Sequence, residues 1–199
     1  MDDMPKRTDS KERMVAAARR LFRERGYLGT ALSDVVAESA APRGSIYFHF
    51  PGGKDELAGE VVLLHAGDHI AHINRAAAAT TTAGQLIAAF IGRIRDELIS
   101  SNYREGCAMA PLVIESIPAS HQLSDATRRG FQDIIATLAA RLTEKNVPHS
   151  RATQLATHAC SSVEGALILG RVLRSPEPFD LAIAQLATAA ETEANTSKP

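Results

Sequence analysis

The chain has 199 residues, a formal net charge of −1 and 45% hydrophobic residues. This composition excludes an intrinsically disordered chain, and the lack of any apolar run of about 20 residues excludes a membrane-spanning helix. The two cysteines, Cys107 and Cys160, form no C-x-x-C pair, which excludes a disulfide framework. Without a signal peptide, we expect a cytoplasmic protein whose thiols are reduced.

The charge is unevenly distributed along the chain. Residues 6–54 hold ten Lys and Arg and five Asp and Glu, a balance of +5, whereas residues 55–199 hold twelve bases and sixteen acids. A basic module on an acidic body is the pattern expected of a nucleic-acid-binding protein. A charged helix surface more often means only solvation, so the pattern does not decide the function alone.

Helix signals follow one another along the whole chain. A first helix is predicted from Asp9 or Ser10 to Arg25, ended by Gly26. Two short helices are predicted over residues 32–39 and 43–50, the second started by Pro42 and followed by the breaker Pro51-Gly52-Gly53. Six further helices are predicted over residues 54–78, 83–100, 107–116, 124–144, 150–174 and 179–193. The fold class predicted is therefore all-α, with about nine helices.

The two short helices, joined by a tight turn, have the pattern of a helix-turn-helix. The second helix of such a motif lies in the major groove of DNA, and its N-terminal residues reach base edges. Arg43 can bind guanine through two hydrogen bonds, Gly44 permits close backbone approach, and Ser45 can bind a base or a phosphate. Polar side-chain ends that suit phosphates occur at Tyr47, His49 and Lys54.

The residues around this motif resemble the TetR family of transcriptional regulators. The resemblance is carried by residues 30–36 (TALSDVV), 41–50 (APRGSIYFHF) and 54–57 (KDEL). Residues 50–54, and residues 106–111 followed by Glu115, are similar to the LmrA/YxaF branch. Ala40 stands where the family usually has a turn glycine, so we expect a turn that is slightly strained or differently shaped. Ala31 stands where Ser or Thr often caps the second helix, so the cap must come from Thr30 or be absent.

The resemblance implies a repressor that binds palindromic, double-stranded operator DNA as a homodimer. The DNA-binding domain would span residues 1–53, and a ligand-binding and dimerisation domain residues 54–199. The dimer would form through the last two helices, 150–174 and 179–193, where small residues recur; their alternative role is intramolecular core. Carried over residue by residue, the DNA contacts fall on Thr30, Arg43, Gly44, Ser45, Tyr47, His49 and Lys54.

The resemblance also implies a small hydrophobic or aromatic effector and control of an efflux or detoxification gene. Such an effector would bind an apolar pocket between helices of the C-terminal domain. Plain core packing is the alternative role for the same residues. The pocket candidates are Phe90, Ile94, Met109, Leu112, Val113, Ser116, Phe131, Ile134 and His158.

Three histidines, His65, His69 and His72, share one helix face and could bring three imidazoles together. A polar helix face is the simpler interpretation, so we predict no metal and no cofactor. The sequence has no phosphate-binding glycine loop after a strand, no nucleophile elbow and no zinc-protease pair, so no enzyme is predicted. Two alternative functions stay open: an activator or global regulator of the same fold without a small-molecule inducer, and a helical small-molecule- or metal-binding protein with a vestigial DNA-binding motif.

Overall fold

The computed structural model describes residues 7–42, 44–116 and 120–196, with side chains from Ser10 onward. Within these ranges the chain is helical, without strands, which confirms the predicted all-α class. No described helix combines the length and apolarity needed to cross a membrane. The helices are α1 (Arg7–Arg25), α2 (Leu32–Glu38), α3 (Ile46–His49), α4 (Lys54–Ala79), α5 (Ala83–Ser100), α6 (Ala110–Ser116), α7 (His121–Glu144), α8 (His149–Leu173) and α9 (Glu177–Thr196).

Six helix starts differ from the prediction. Helices α1, α8 and α9 begin one to three residues earlier than predicted, so α1 starts at Arg7, ahead of the predicted start at Asp9 or Ser10. The other three starts differ by three residues, each for a local reason. Helix α3 begins at Ile46, three residues after its predicted start, because the Ser45 amide donates to the Pro42 carbonyl (2.9 Å) and closes a turn before the helix. Helix α6 does not begin at Cys107, whose sulfur instead accepts a hydrogen bond from the Met109 amide (3.3 Å). Helix α7 begins three residues before the predicted cap at residue 124. Its start is capped by Ser120, whose hydroxyl accepts from the Leu123 amide (3.3 Å).

The chain divides into two compact units. The first contains the described residues of Met1–His65 and Cys107–Gly130, and the second those of Ala66–Gly106 and Phe131–Pro199. The predicted functional boundary after residue 53 does not coincide with either limit and stays a prediction. The core of the first unit includes fully buried side chains from several helices: Met14, Phe22, Phe50, Leu57, Leu112 and Leu123.

In the second unit, α5, α8 and α9 pack against one another. Helices α5 and α9 approach closely at Gly84. The Gly84 amide donates to the Glu191 carboxylate (2.8 Å), and a Cβ added at Gly84 would lie 2.8 Å from the Ala187 carbonyl oxygen. At Gly170 on α8, an added Cβ would lie 2.8 Å from Leu98. Small residues thus allow these helices to approach one another within one chain.

The small-residue stripe of α8 therefore has the role of intramolecular core at most of its positions. Its members Ala152, Ala156, Ala159, Ala166 and Gly170 are buried within the single chain. Assigning them to the dimer contact was wrong, because helical periodicity identifies an apolar face but not the helix that covers it. The exposed side of α8 carries other, larger apolar residues.

Candidate DNA interface

The turn between α1 and α2 is fixed by hydrogen bonds that end the first helix. Gly26 has φ +82, which confirms the prediction that this glycine ends α1. The Thr30 amide donates to the Tyr27 carbonyl (3.2 Å), and its hydroxyl donates to the Gly26 carbonyl (2.9 Å). The Thr30 side chain is completely buried. Its hydroxyl thus stabilises the turn and does not cap α2.

Helix α2 begins without a side-chain cap. Of the two expected arrangements, a cap from Thr30 or no cap, the structure shows the second. Ala31 occupies the cap position, and its amide donates to the Asp34 carboxylate (3.1 Å). Asp34 also places a negative charge in the first turn of the helix, where the positive end of the helix dipole favours it. A residue three positions into the helix thus compensates in part for the missing cap.

The end of α2 confirms the expected strain at Ala40. Ala40 has φ +51, the left-handed region that favours glycine. The Ala40 amide donates to the Ala37 carbonyl and the Ala41 amide to the Val36 carbonyl, both at 3.3 Å, which is the Schellman pattern of helix termination. Arg13 on α1 holds the same turn by donating to the Ser39 carbonyl (3.1 Å).

Helix α3 has one buried side and one exposed side. Ile46 and Phe50 are buried, as predicted, and anchor the helix to the core. Tyr47 and Phe48 are 63% and 62% exposed, which is unusual for two adjacent aromatic residues and leaves an apolar surface available to a partner. The His49 imidazole instead lies against α1, where its Nε2 is 3.1 Å from the Ser10 hydroxyl oxygen.

The segment before α3 leaves its backbone accessible. Gly44 is exposed, and a Cβ added there would have no neighbour within 4 Å in this chain. The fold itself therefore does not require glycine at this position, and a close approach from outside gives a reason for it. The neighbouring Ser45 hydroxyl donates to the Pro42 carbonyl (2.7 Å).

At the start of α4, Lys54 and Asp55 join a polar network. The Lys54 ammonium lies 4.2 Å from the centre of the Tyr27 ring, a cation–π contact. Asp55 accepts hydrogen bonds from the Tyr27 hydroxyl and from the Ser120 hydroxyl, the latter at 2.8 Å. Burial lowers the pKa of Lys54, while the charges of Glu115 and Asp55 oppose that shift. Burial and the bond to Asp55 raise the pKa of Tyr27.

Comparison with known proteins identifies this arrangement. Residues 14–61 match the family model of bacterial regulatory proteins of the tetR family, and residues 83–185 match the C-terminal domain of LmrA/YxaF-like transcriptional regulators. The chain belongs to the TetR family. Its second matching domain places it in the LmrA/YxaF branch, as its sequence predicted.

Individual relatives agree with this assignment. An uncharacterized HTH-type transcriptional regulator of Mycobacterium tuberculosis (strain H37Rv) is 38% identical over 88% of this chain and 91% of that protein. The HTH-type transcriptional regulator LmrA of Bacillus subtilis is 31% identical over 86% of this chain and 91% of its own length. The TetR-family regulator CifR, solved with a 26-base-pair operator duplex, has the same fold, with a TM-score of 0.75, 18% identity, and coverage of 94% and 99% of the two chains.

The structure places the predicted DNA contacts of this TetR-family chain in three situations. Gly44 and Tyr47 are exposed and available. Thr30, Ser45 and His49 are engaged in hydrogen bonds within the chain, and Lys54 is half-buried over a ring. Arg43 lies outside the described residues. Two exposed neighbours were not predicted: Phe48, which the sequence pattern did not distinguish from core, and Leu28, which is 71% exposed in the turn.

The predicted pocket residues divide between the two units. Met109, Leu112 and Ser116 are buried in the first unit, where Val113 is 37% exposed. In the second unit Phe90, Ile94 and Ile134 are buried, Phe131 is half-buried and His158 is exposed. A groove of about 680 Å³ lies between α2 and α3, and one of about 560 Å³ between α7 and α8, and neither is lined by a pocket candidate. The pocket stays a prediction.

The three histidines of α4 do not gather around a metal. The His65 Nε2 lies 3.7 Å from the Cys107 sulfur, and the His72 Nε2 lies 3.1 Å from the Ala89 carbonyl oxygen. The His69 ring contacts the Phe90 ring edge-on at 6.3 Å. Within the described ranges, no group of three His, Cys, Asp or Glu side chains could hold a metal ion.

Proposed function

We propose that this TetR-family regulator is a dimeric, ligand-responsive repressor that binds palindromic operator DNA through α3. The observation that carries the proposal is the exposed side of α3, where Tyr47 projects next to the open backbone of Gly44. The buried Ile46 and Phe50 anchor this helix to the core, and sequence-specific contacts require side chains presented from a well-anchored element. The balance of +5 over residues 6–54 favours the same partner.

The contacts proposed fall into two classes. Arg43, Gly44 and Ser45, before the helix, would approach base edges, with Arg43 carrying most of the discrimination. Tyr47 would donate its hydroxyl to a phosphate, which positions the helix without reading sequence. Thr30 would contribute through the turn that it stabilises. A phosphate contact by Lys54 would require its ammonium to leave the ring of Tyr27, and one by His49 would require it to leave Ser10.

A fluorescence-anisotropy titration over a range of salt concentrations tests this proposal. The duplex comes from the region upstream of the gene, and the variants are Arg43→Ala and Tyr47→Phe. Arg43→Ala is expected to lose about 1–3 kcal/mol of discrimination, whereas Tyr47→Phe weakens specific and unrelated duplexes alike. The matched control is Arg129→Ala, which removes an exposed positive charge on α7. Equal effects of Arg43→Ala and Arg129→Ala would contradict a base-reading role.

Dimerisation is proposed through the exposed side of α8, with α9. Ile168, Leu169, Val172 and Leu173 are 50–73% exposed there, and Leu181 on α9 is 59% exposed. An exposed apolar patch of this kind marks an interaction surface, and a twofold dimer presents two reading helices to a palindrome. His158 lies on the same exposed side of α8, so an interface role suits it better than a pocket role.

The oligomeric state of Val172→Asp tests the dimer. A buried, unpaired carboxylate at a dimer contact costs several kcal/mol, so monomers are expected in sedimentation or light-scattering measurements at micromolar concentration. Ile99→Asp is the matched control, since Ile99 is a 42%-exposed apolar residue on α5. A dimer that persists in Val172→Asp places the interface elsewhere.

The effector proposed is a small hydrophobic or aromatic compound, bound among buried apolar residues such as Phe90, Ile94 and Ile134 of the second unit. Its target would be an efflux or detoxification gene, by analogy with the branch. Because coupling is reciprocal, a compound that weakens DNA binding must itself bind more weakly to the DNA-bound protein. A screen in which no compound changes operator affinity would favour a regulator without an inducer.

A further inference from the structure

One acidic side chain outside the helix-turn-helix contacts the turn that leads into it. Glu115 is on α6, within the residues that match the LmrA/YxaF-like domain, yet it belongs to the same compact unit as α1–α3. Its carboxylate accepts a hydrogen bond from the Leu28 amide (2.5 Å) across 87 positions of sequence. The sequence alone gives Glu115 no role in this unit.

The turn is shaped to receive this carboxylate. A Cβ added at Gly26 would lie 2.5 Å from a Glu115 carboxylate oxygen, so a larger residue there would displace this carboxylate, and the φ of +82 already favours glycine. The Lys54 ammonium lies near enough for the charge of Glu115 to act on it. Leu28, whose amide the carboxylate binds, is 71% exposed, so few apolar contacts hold this part of the turn.

We propose that Glu115 is a positioning residue for DNA binding, whose carboxylate holds residues 26–29 in the conformation that places α2 and α3. The turn leads directly to Thr30 and Ala31, where α2 begins, and α2 carries the turn before α3. A second set of hydrogen bonds holds the same turn: the Ser120 hydroxyl donates to Asp55, and Asp55 also accepts from the hydroxyl of Tyr27. This inference rests on the proposed function, because it assigns Glu115 a role in operator affinity.

The direction in which DNA affinity changes when Glu115 is replaced distinguishes a positioning role from a purely electrostatic one. DNA is a polyanion, so removing a carboxylate from the DNA-binding unit should strengthen binding or leave it unchanged if electrostatics alone acted. A positioning role predicts the opposite. Loss of the bond lets the turn occupy other conformations, and affinity falls with the fraction that remains competent.

The test compares operator affinity of wild type, Glu115→Ala, Glu115→Gln and Asp125→Asn by fluorescence anisotropy. Glu115→Ala is expected to bind about two- to tenfold more weakly, the range that one net hydrogen bond corresponds to. Glu115→Gln keeps an acceptor oxygen and should recover part of the loss. Asp125→Asn removes a charge from an exposed α7 residue paired with Arg128 and should bind like wild type.

Amide hydrogen exchange of the peptide that covers residues 27–30 gives a readout that a global loss of stability would not mimic. Exchange there should accelerate in Glu115→Ala, less so in Glu115→Gln and not in Asp125→Asn, at temperatures where thermal melts show every variant folded. If Glu115→Ala melts too low, Glu115→Gln carries the comparison. If wild type binds the operator and both Glu115 variants bind it as tightly as wild type or more tightly, this inference alone is overturned. A wild type that binds no operator overturns the proposed function, and this inference with it.

Discussion

Replacing Ala40 with glycine is expected to stabilise the protein. Ala40 ends α2 with φ +51, a conformation in which the Cβ of an L-residue crowds the carbonyl oxygen that follows, at a cost of roughly 1–2 kcal/mol. Its side chain is exposed, so deleting the methyl group forfeits little packing. The two hydrogen bonds that terminate the helix come from the backbone and are kept in the variant.

The net gain is smaller than the strain removed. Glycine has more freedom in the unfolded chain, which offsets roughly 0.5–1 kcal/mol of the benefit. The remaining stabilisation is about 0.5–1 kcal/mol. In a chain of about 150–250 residues, 1 kcal/mol shifts Tm by about 2–4 °C, so Ala40→Gly should raise Tm by about 1–4 °C.

Thermal and urea unfolding, followed by far-UV circular dichroism at a fixed protein concentration, measures the change. The matched control is Ala37→Gly, the same exchange at an exposed position inside the right-handed α2. Ala37→Gly should lower the free energy of unfolding by about 0.5–1 kcal/mol, so the two variants differ in sign. A Tm for Ala40→Gly at or below that of wild type would refute the strain argument.

Three further predictions concern the second unit. Gly84→Ala should lower the free energy of unfolding in urea by about 1–3 kcal/mol, because its Cβ would lie 2.8 Å from the Ala187 carbonyl oxygen and force α5 from α9. Burial lowers the pKa of His72 below that of a histidine in the unfolded chain. As pH falls, the imidazole is therefore protonated first in the unfolded chain, and the contribution of His72 to the free energy of unfolding, present above about pH 6.5, is lost. His72→Gln should flatten that decline in Tm between about pH 7.5 and 5. Burial raises the pKa of the Cys160 thiol to about 12, so mass spectrometry should find it unmodified by iodoacetamide in the native protein and modified after denaturation.

Each of these predictions has a control or a contrary result. Gly67→Ala, on α4, places a Cβ where nothing lies within 4 Å and should not destabilise; equal losses in Gly67→Ala and Gly84→Ala would discount the close helix crossing. An unchanged pH profile in His72→Gln would show that other groups control acid stability. Rapid alkylation of native Cys160 would mean that the α8 surface opens readily.

Local chemistry made much of the fold predictable from sequence. Helical periodicity gave the all-α class, since it depends only on which residues are apolar. Gly26 correctly predicted the end of α1, because few other residues adopt a positive φ without an energetic cost. Ile46 and Phe50 were correctly assigned to the core, and Ala40 to a strained turn, because each position follows from the geometry of a short helix and its turn.

Contacts distant in sequence were not predictable in the same way. Nothing near Glu115 indicates that its carboxylate binds Leu28, because that contact depends on how α6 folds back within the first unit. The small residues of α8 predicted a close helix neighbour correctly but not that the neighbour belongs to the same chain. Phe48 resembles a core residue in sequence, and its exposure depends on which side of α3 the core occupies.

Selection of genomic fragments by the purified protein, followed by sequencing, tests the central claim most directly. A dimer that presents two copies of α3 should enrich a palindrome whose half-sites lie about 34–36 Å apart or a multiple of that spacing, and Arg43→Ala should lose the enrichment. No enriched motif for the wild type, or a motif that Arg43→Ala and Tyr47→Phe enrich equally well, would contradict the assignment of α3 as the operator-reading helix.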